Sequence, residues 1–319
     1  MQPQPVDRKS VAERLASLAS ELAVEVIGQD HVLAPVAEWV EEGELGLTQR
    51  RKPRGSFMFL GPTGVGKTQL VKALAKRLPP HSEFACFDLS EFQTEKSVDV
   101  FLGGGAGDEG RFGAEMTGRP NCRIVLFDEF EKAHPRLLDL LLQMLDEGRL
   151  TVATGRVFDL KSHYIVLTSN IGAGAAARMR HNSDAAIERT VLQYARQALR
   201  PELFARVDLV CVFHRLGLRV QERVCEYHVG LKLAELRADG IDVTVEPAVY
   251  QFLLGEGFSE LDGARPLERA IQKHINRPLV ARFRTGGEPK GALRVNGSRS
   301  GLELIEGGPS CEASRDVTV

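Results

Sequence analysis

Along the first two thirds of the chain, short apolar runs alternate with stretches in which apolar residues recur every three or four positions. Ser56–Leu60 is such a run, stopped by Gly61, and reads as a buried strand. Thr68–Leu78 then carries Leu70, Val71, Leu74 and Leu78 on one helical face. Phe84–Leu89 and Arg123–Phe127 read as further strands. Pro135–Glu147 reads as a helix, with Leu137, Leu138, Leu141 and Leu145 in register and a proline in its first turn. Tyr164–Thr168 and Leu209–Phe213 are two more short apolar runs, and Val11–Val24 reads as one short helix. Strands alternating with helices predict βαβ units, hence an α/β fold whose parallel sheet is covered by helices on both faces.

Past Arg215 the pattern changes. Leu218–Asp239 reads as a helix closed by Gly240, Ile241–Val245 alternates like a strand, and Pro247–Gly255 and Arg265–Phe283 read as helices. Ala292–Val295 and Gly301–Ile305 are short strands. The expected organisation is a leader and N-terminal helix over residues 1–25, an α/β domain over 26–215, a small and mainly helical domain over 216–306, and a flexible tail over 307–319.

Composition removes several function classes. The chain has 319 residues, 43% hydrophobic and 26% charged, which argues against wholesale disorder. Lys plus Arg number 41 and Asp plus Glu 43, so the net charge is −2 and a dedicated nucleic-acid binder is not expected. The cluster Arg50, Arg51, Lys52, Arg54 reads as a solvated loop, with a nucleic-acid contact as the alternative. No apolar run nears the ~18 residues that span a bilayer, and the first ten residues lack a signal-peptide core. Five widely spaced cysteines form no Cys-x-x-Cys pair, which argues against a disulfide framework or a zinc site and for a cytoplasmic setting.

The chemistry is carried by one loop and one strand end. Gly61, Pro62, Thr63, Gly64, Val65, Gly66, Lys67 and Thr68 match G-x-x-x-x-G-K-[ST] between a predicted strand and a predicted helix. Glycines let successive N–H groups turn inward as an anion nest, and the helix N-terminus adds its dipole. Lys67 can reach β- and γ-phosphates, and Thr68 can offer a hydroxyl to Mg²⁺. About sixty residues on, Ile124–Phe127 ends in Asp128 and Glu129. An aspartate there can hold the Mg²⁺ shell, and the adjacent glutamate can polarise a water for in-line attack. ATP and Mg²⁺ are the expected ligands.

These residues sit in a longer ordered series: Val26-Ile27-Gly28-Gln29, the phosphate loop, Phe127-Asp128-Glu129 through Pro135, Gly148-Arg149-Leu150-Thr151, Thr168-Ser169-Asn170, Arg200-Pro201-Glu202, Arg206-Val207-Asp208 and Gly263-Ala264-Arg265-Pro266. The series resembles the Clp family of AAA+ ATPases, most closely the second ATPase module of ClpB-type disaggregases. The resemblance implies a stand-alone module in which Val26 and Ile27 line the adenine pocket and Asn170 is the polar sensor near the γ-phosphate. It further implies that Arg206 is the finger reaching a neighbouring subunit's nucleotide, and that Arg265 is the sensor arginine of a C-terminal lid domain. A hexamer acting on a protein substrate or adaptor follows from the same resemblance. Lys132 and His134 are expected to shape the turn without a catalytic role, His134 having no visible partner.

Two departures qualify that expectation. No Ile-Gly-Leu or Ile-Gly-Phe loop for docking a protease ring is present, nor, within these residues, a substrate domain, first ATPase module or coiled-coil insertion. The usual Gly-Tyr-Val-Gly type pore segment, which grips polypeptide with its aromatic ring, is replaced by a glycine-rich stretch from Leu102 to Phe112. It reads as mobile, with Asp108 and Glu109 turned towards a ring axis and Phe112 either packed on the body or gripping in place of the lost ring. Two readings follow: a ring-forming ATPase that remodels protein partners, or an ATP-driven switch or assembly factor in a secretion, plasmid or phage machine without threading. A small-molecule kinase, or a DNA-acting P-loop protein, is the third reading; Arg206 and Arg265 argue against a kinase.

Overall fold

The computed structural model describes residues 8–305 apart from 50, 79–81, 106, 180–181, 260–261, 288–289 and 299. The tail expected over 307–319 lies outside the described residues, as does Cys311. The chain divides into two compact units, residues 1–215 and 216–319.

The first unit is built on strands β1 (Gly55–Leu60), β2 (Glu83–Asp88), β3 (Cys122–Asp128), β4 (Arg149–Thr151), β5 (Val157–Asp159), β6 (Tyr164–Ser169) and β7 (Leu209–Val212). Five of these form one parallel sheet in the order β2-β3-β6-β1-β7; β4 and β5 form a separate antiparallel hairpin. β1 and β6 are buried along their whole length, as strands covered on both faces must be. That burial leaves no alternating polar positions, which is why both read as continuous apolar runs.

Residues 8–25 form two helices rather than one, Arg8–Leu15 and Leu18–Glu25, parted at Ala16 and Ser17. Leu18 and Leu22 are buried, and Glu25 pairs with Lys76 and Arg77 of helix Lys67–Arg77 at 2.9 Å each, so this segment is docked on the first unit. Those cations hold the Glu25 carboxyl below its usual range against the opposing effect of burial, which is the larger single influence. The basic cluster is only partly a solvated loop: Arg54 is ion-paired to the buried Glu44 at 2.7 Å, and Arg123 reaches the same carboxylate.

The sheet's β2–β3 side packs on an aromatic cluster. Phe112, in helix Gly110–Gly118, is fully buried, with its ring centroid 5.3 Å from Phe87, 5.6 Å from Phe101 and 5.6 Å from Phe158. Phe112 therefore belongs to the core and not to an exposed gripping loop. Phe112→Ala is expected to cost about 3–5 kcal/mol, the range for truncating a buried Phe. Chemical denaturation followed by circular dichroism checks this; an unchanged midpoint would remove the ring from the core.

The preceding loop is closed on itself. Asp108 accepts the backbone N–H of Gly104 at 2.8 Å and of Gly110 at 2.9 Å, and those two bonds hold its carboxyl below the usual range. A Cβ at Gly103 would lie 1.9 Å from the Asp108 carbonyl oxygen, so only glycine allows the closure. Glu109 is taken up by Arg156 at 2.9 Å. Both acids of the stretch expected to be mobile are thus bonded to the protein's own donors, with Asp108 still exposed.

The second unit holds helices Leu218–Ala238, Pro247–Gly257 and Leu267–Arg284 against a three-stranded sheet, β8 (Val243–Val245), β9 (Gly291–Val295) and β10 (Leu302–Ile305). β9 lies between the others, parallel to β8 and antiparallel to β10. Among the described residues no helix is long and apolar enough to cross a membrane.

Candidate active site

In a parallel α/β sheet, ligands gather outside the carboxyl ends of the strands. Three neighbouring strands, β3, β6 and β1, end there in the sequence-predicted residues: Asp128 and Glu129, Ser169 and Asn170, and the phosphate loop. Gly61 opens the loop at φ 140°, and a Cβ there would sit 2.6 Å from the Phe213 carbonyl oxygen, so the turn passes too close to the β7 exit for any other residue. Gly66, at φ 109°, caps helix Lys67–Arg77, and Thr68 lies in its first turn. Val26 is buried beside the loop, 3.5 Å from where a Gly66 Cβ would be, and Ile27 adjoins it, also buried.

Lys67 is buried, and its ammonium donates to the carbonyl of Gly61, to that of Pro62 at 2.8 Å and to Asn170 Oδ1 at 2.9 Å. The Asn170 amide nitrogen donates in turn to Glu129 Oε1 at 3.1 Å. One carboxamide thus joins the phosphate clamp to the second acid. Glu129 sits at φ 50°, ψ 43°, the one non-glycine with positive φ among the described residues. Such a conformation costs about 1–3 kcal/mol and concentrates at functional sites. Asp128 Oδ1 accepts the hydroxyl proton of Thr168, which is wholly buried on β6. Thr68 and Asp128 offer only oxygen donors, the set a hard divalent ion such as Mg²⁺ takes.

Further residues place this site, Gln29 and Glu131 without an assigned role in the sequence reading and Lys132 and His134 expected there only to shape the turn. Gln29, fully buried, donates to the Val65 carbonyl in the loop at 3.2 Å and to the His214 carbonyl at 2.9 Å, pinning the loop to the β7 exit. Lys132 pairs with Glu129 across a 3₁₀ turn, and that hydrogen bond raises the Lys132 pKa. In a 3₁₀ turn positions i and i+3 eclipse, so the Glu129–Lys132 spacing was the available signal. Glu131 accepts the Asn170 backbone N–H at 3.1 Å, fixing the end of β6. His134 has a partner after all: its Nδ1 accepts the Arg136 N–H at 3.3 Å and caps helix Pro135–Glu147.

Arg206 lies elsewhere. It ends helix Pro201–Arg206, ahead of β7, and its guanidinium pairs with Asp146. Asp208 fixes this corner by accepting the Ser56 N–H at 2.8 Å and the Ser56 hydroxyl at 2.7 Å. Ser56 is the second residue of β1 and Gly61 follows its end, so Arg206 is near the amino edge of the sheet, about 17 Å along the strand from the phosphate loop. Arg265, in the second unit, is exposed in the turn before helix Leu267–Arg284, its N–H bound to the Asp262 carbonyl at 3.2 Å.

Comparison with known proteins agrees with this arrangement. Residues 52–210 match the family described as AAA domain (Cdc48 subfamily), and residues 216–293 match the C-terminal, D2-small domain of ClpB protein. Chaperone protein ClpB of Rhizobium meliloti (strain 1021) is 39% identical over 298 residues, which is 91% of this chain and 34% of that protein. The ClpB of Mesorhizobium japonicum is 38% identical over 291 residues, covering 88% of this chain and 33% of its own length. The chain therefore spans about a third of the curated relatives it matches. Among solved structures, a closed state of Hsp104 with ATPγS and FITC-casein superposes with a TM-score of 0.80 at 28% identity, over 93% of this chain and 52% of that one. An S. cerevisiae Hsp104–ADP complex gives 0.79 at 32% identity, over 92% and 53%. With its parallel sheet, its phosphate loop and acidic strand end, and its D2-small domain, the chain belongs to the AAA+ ATPases as a ClpB-like module.

Proposed function

We propose that the chain binds ATP with Mg²⁺ on Gly61–Thr68, hydrolyses it between subunits of a ring, and uses the cycle to remodel a protein partner. The observation that carries this reading is the hydrogen-bonded chain Lys67–Asn170–Glu129, which puts a phosphate-directed cation and a carboxylate on one carboxamide. The loop amides and Lys67 take the phosphate charge, while Val26 and Ile27 offer an apolar wall to the adenine. Glu129 accepts the proton of the attacking water, and Asn170 orients both. Thr68 and Asp128 would hold Mg²⁺, which would supply charge neutralisation at the phosphates.

Arg206 cannot serve its own subunit's phosphates from the opposite strand edge, so its charge acts on a neighbour. A head-to-tail contact of that kind closes into a ring, six-fold in this family. Arg265 is assigned by its motif the task of reporting nucleotide state to the second unit. No protease ring, membrane or nucleic acid is included among the partners, and the setting is cytoplasmic. That one relative was resolved with casein supports a protein as the partner class.

The tied loop of residues 103–110 and the buried Phe112 favour a second reading, an ATP-driven switch or assembly factor that does not thread polypeptide. One set of measurements tests both. Wild-type chain is expected to release phosphate from ATP, and Lys67→Ala to lose nucleotide binding; equal turnover by both would end the ATPase reading. A tagged, stably folded protein incubated with wild type and ATP separates the two: efficient unfolding supports threading, and survival supports the switch.

A further inference from the structure

Beside the residues that support the phosphate loop, His31, Glu188 and His214 converge from three separate elements of the first unit. His31 is in the first turn of helix Asp30–Glu44, Glu188 is in helix Asp184–Ala198, and His214 follows β7. The two imidazoles stack, 3.9 Å between centroids and 14° from parallel. His214 Nε2 donates to Glu188 Oε1 at 2.8 Å, and the same oxygen lies 3.9 Å from His31 Nε2. Ligand atoms held about 2.0–2.1 Å from a tetrahedral ion are about 3.3–3.5 Å apart. The two separations bracket that value, and one ligand atom from each residue lies within 4.8 Å of the other two.

We propose that His31, Glu188 and His214 form a binding site for a borderline divalent transition ion, with Zn²⁺ the best match to two imidazoles and one carboxylate. Three protein ligands leave a fourth position for water, and the site is open enough to admit it: His31 and Glu188 side chains are 35% and 36% exposed. The far nitrogen of His214, Nδ1, faces Asp184 Oδ2 at 3.9 Å. A carboxylate behind the second ring nitrogen is what fixes the tautomer of a metal-bound imidazole.

The Nε2 proton of His214 occupies the Glu188 side, and His31 Nε2–H donates to the Val212 carbonyl at 2.9 Å. Ion entry shifts the His214 proton to Nδ1, towards Asp184. It also turns His31 off Val212 and moves the His31 proton from Nε2 to Nδ1, exchanging one part-buried hydrogen bond for a metal bond and tilting the rings out of their stack. The consequence reaches further. His214 N–H donates to Gln29 Oε1 at 3.1 Å, and Gln29 supports the Val65 carbonyl in the phosphate loop. An ion at this site would therefore stiffen the same post on which the loop rests. Cysteine spacing gave no hint of it, because the three ligands are 157 and 26 positions apart and meet only in the fold.

The test uses the full chain, stripped by chelator and free of nucleotide, titrated with ZnCl₂ by calorimetry and by thermal melting. One saturable site per chain and a rise in melting midpoint reversed by EDTA are expected. His31→Gln and Glu188→Gln should each weaken binding at least about tenfold, and Asp184→Asn should weaken it about tenfold through the tautomer. Circular dichroism establishes that each variant is folded, and either ligand variant alone decides if the other is not. Absence of saturable binding by the wild type, or wild-type affinity in the folded ligand variants, would overturn the proposal.

Discussion

Glu129→Gln is expected to bind ATP close to wild-type affinity and to turn it over at least about 100-fold more slowly, the low end of what a positioned general base contributes. The substitution is nearly isosteric and keeps an oxygen to accept from Asn170, which bonds Glu129 Oε1 at 3.1 Å. The clamp of Lys67 and the loop amides is untouched, so affinity should hold. What is lost is the carboxylate proposed to take a proton from water. The strained backbone at φ 50° argues that the position is held for that carboxylate, since a glycine would occupy it at lower cost. The pair with Lys132 adds a second expectation: the amide releases that ammonium. Because Lys132 is half exposed, its release should matter little for stability. Phosphate release measured beside equilibrium binding of a fluorescent nucleotide separates the two effects. Wild-type turnover by the variant would remove Glu129 from the role of base.

The parts of the molecule that sequence reveals are those whose chemistry is local. The phosphate loop is legible because the anion nest, the glycines and the lysine all fall within eight consecutive residues, Gly61 to Thr68. Strands β1 and β6 are legible because full burial demands unbroken apolar runs, and β3 because its buried stretch Ile124–Phe127 is one. Helix Pro135–Glu147 is read to both of its ends because a proline starts it and Gly148, in the left-handed conformation, stops it. Helix Asp30–Glu44 is missed: Pro35 lies inside it, and its last turn is Glu41, Glu42, Gly43 and Glu44, a polar run that reads as a loop. Glu44 is buried there because Arg54, Arg123 and Tyr164 surround its carboxylate, and those partners come from distant segments. The bonds that close the glycine-rich stretch are missed for a related reason. Its glycines carry no side-chain pattern, yet Gly104 and Gly110 donate their N–H groups to the Asp108 carboxylate. Burial of Phe112 likewise depends on Phe87, Phe101 and Phe158, which no local pattern links to it. Residues that support the site, such as Gln29, Thr168 and Asp208, act through contacts 36 to 185 positions apart, and spacing carries no trace of such pairs.

Arg206→Ala is expected to lower turnover by roughly 10³–10⁵, the value of an arginine finger in well-studied P-loop enzymes. The loss should appear only where subunits meet. Within one chain the guanidinium is held by Asp146 at the strand edge opposite the phosphate loop, about 17 Å of strand away. The Asp208–Ser56 bonds keep that corner from swinging towards its own loop. In the proposed ring its charge would reach a γ-phosphate across an interface, after exchanging Asp146 for the neighbour's nucleotide. Two measurements follow from this. Wild-type specific activity should rise with protein concentration, because each competent site needs two chains. Mixing Arg206→Ala with Lys67→Ala should recover activity that neither has alone, since a Lys67→Ala subunit still donates its finger to a neighbour with an intact loop. In randomly mixed closed rings at equal amounts, about a quarter of the interfaces pair the two intact halves in the right order, which sets the ceiling on recovery. Full, concentration-independent turnover by Arg206→Ala alone would place the finger elsewhere. No recovery on mixing, with both variants seen to assemble, would mean that hydrolysis is completed within one chain.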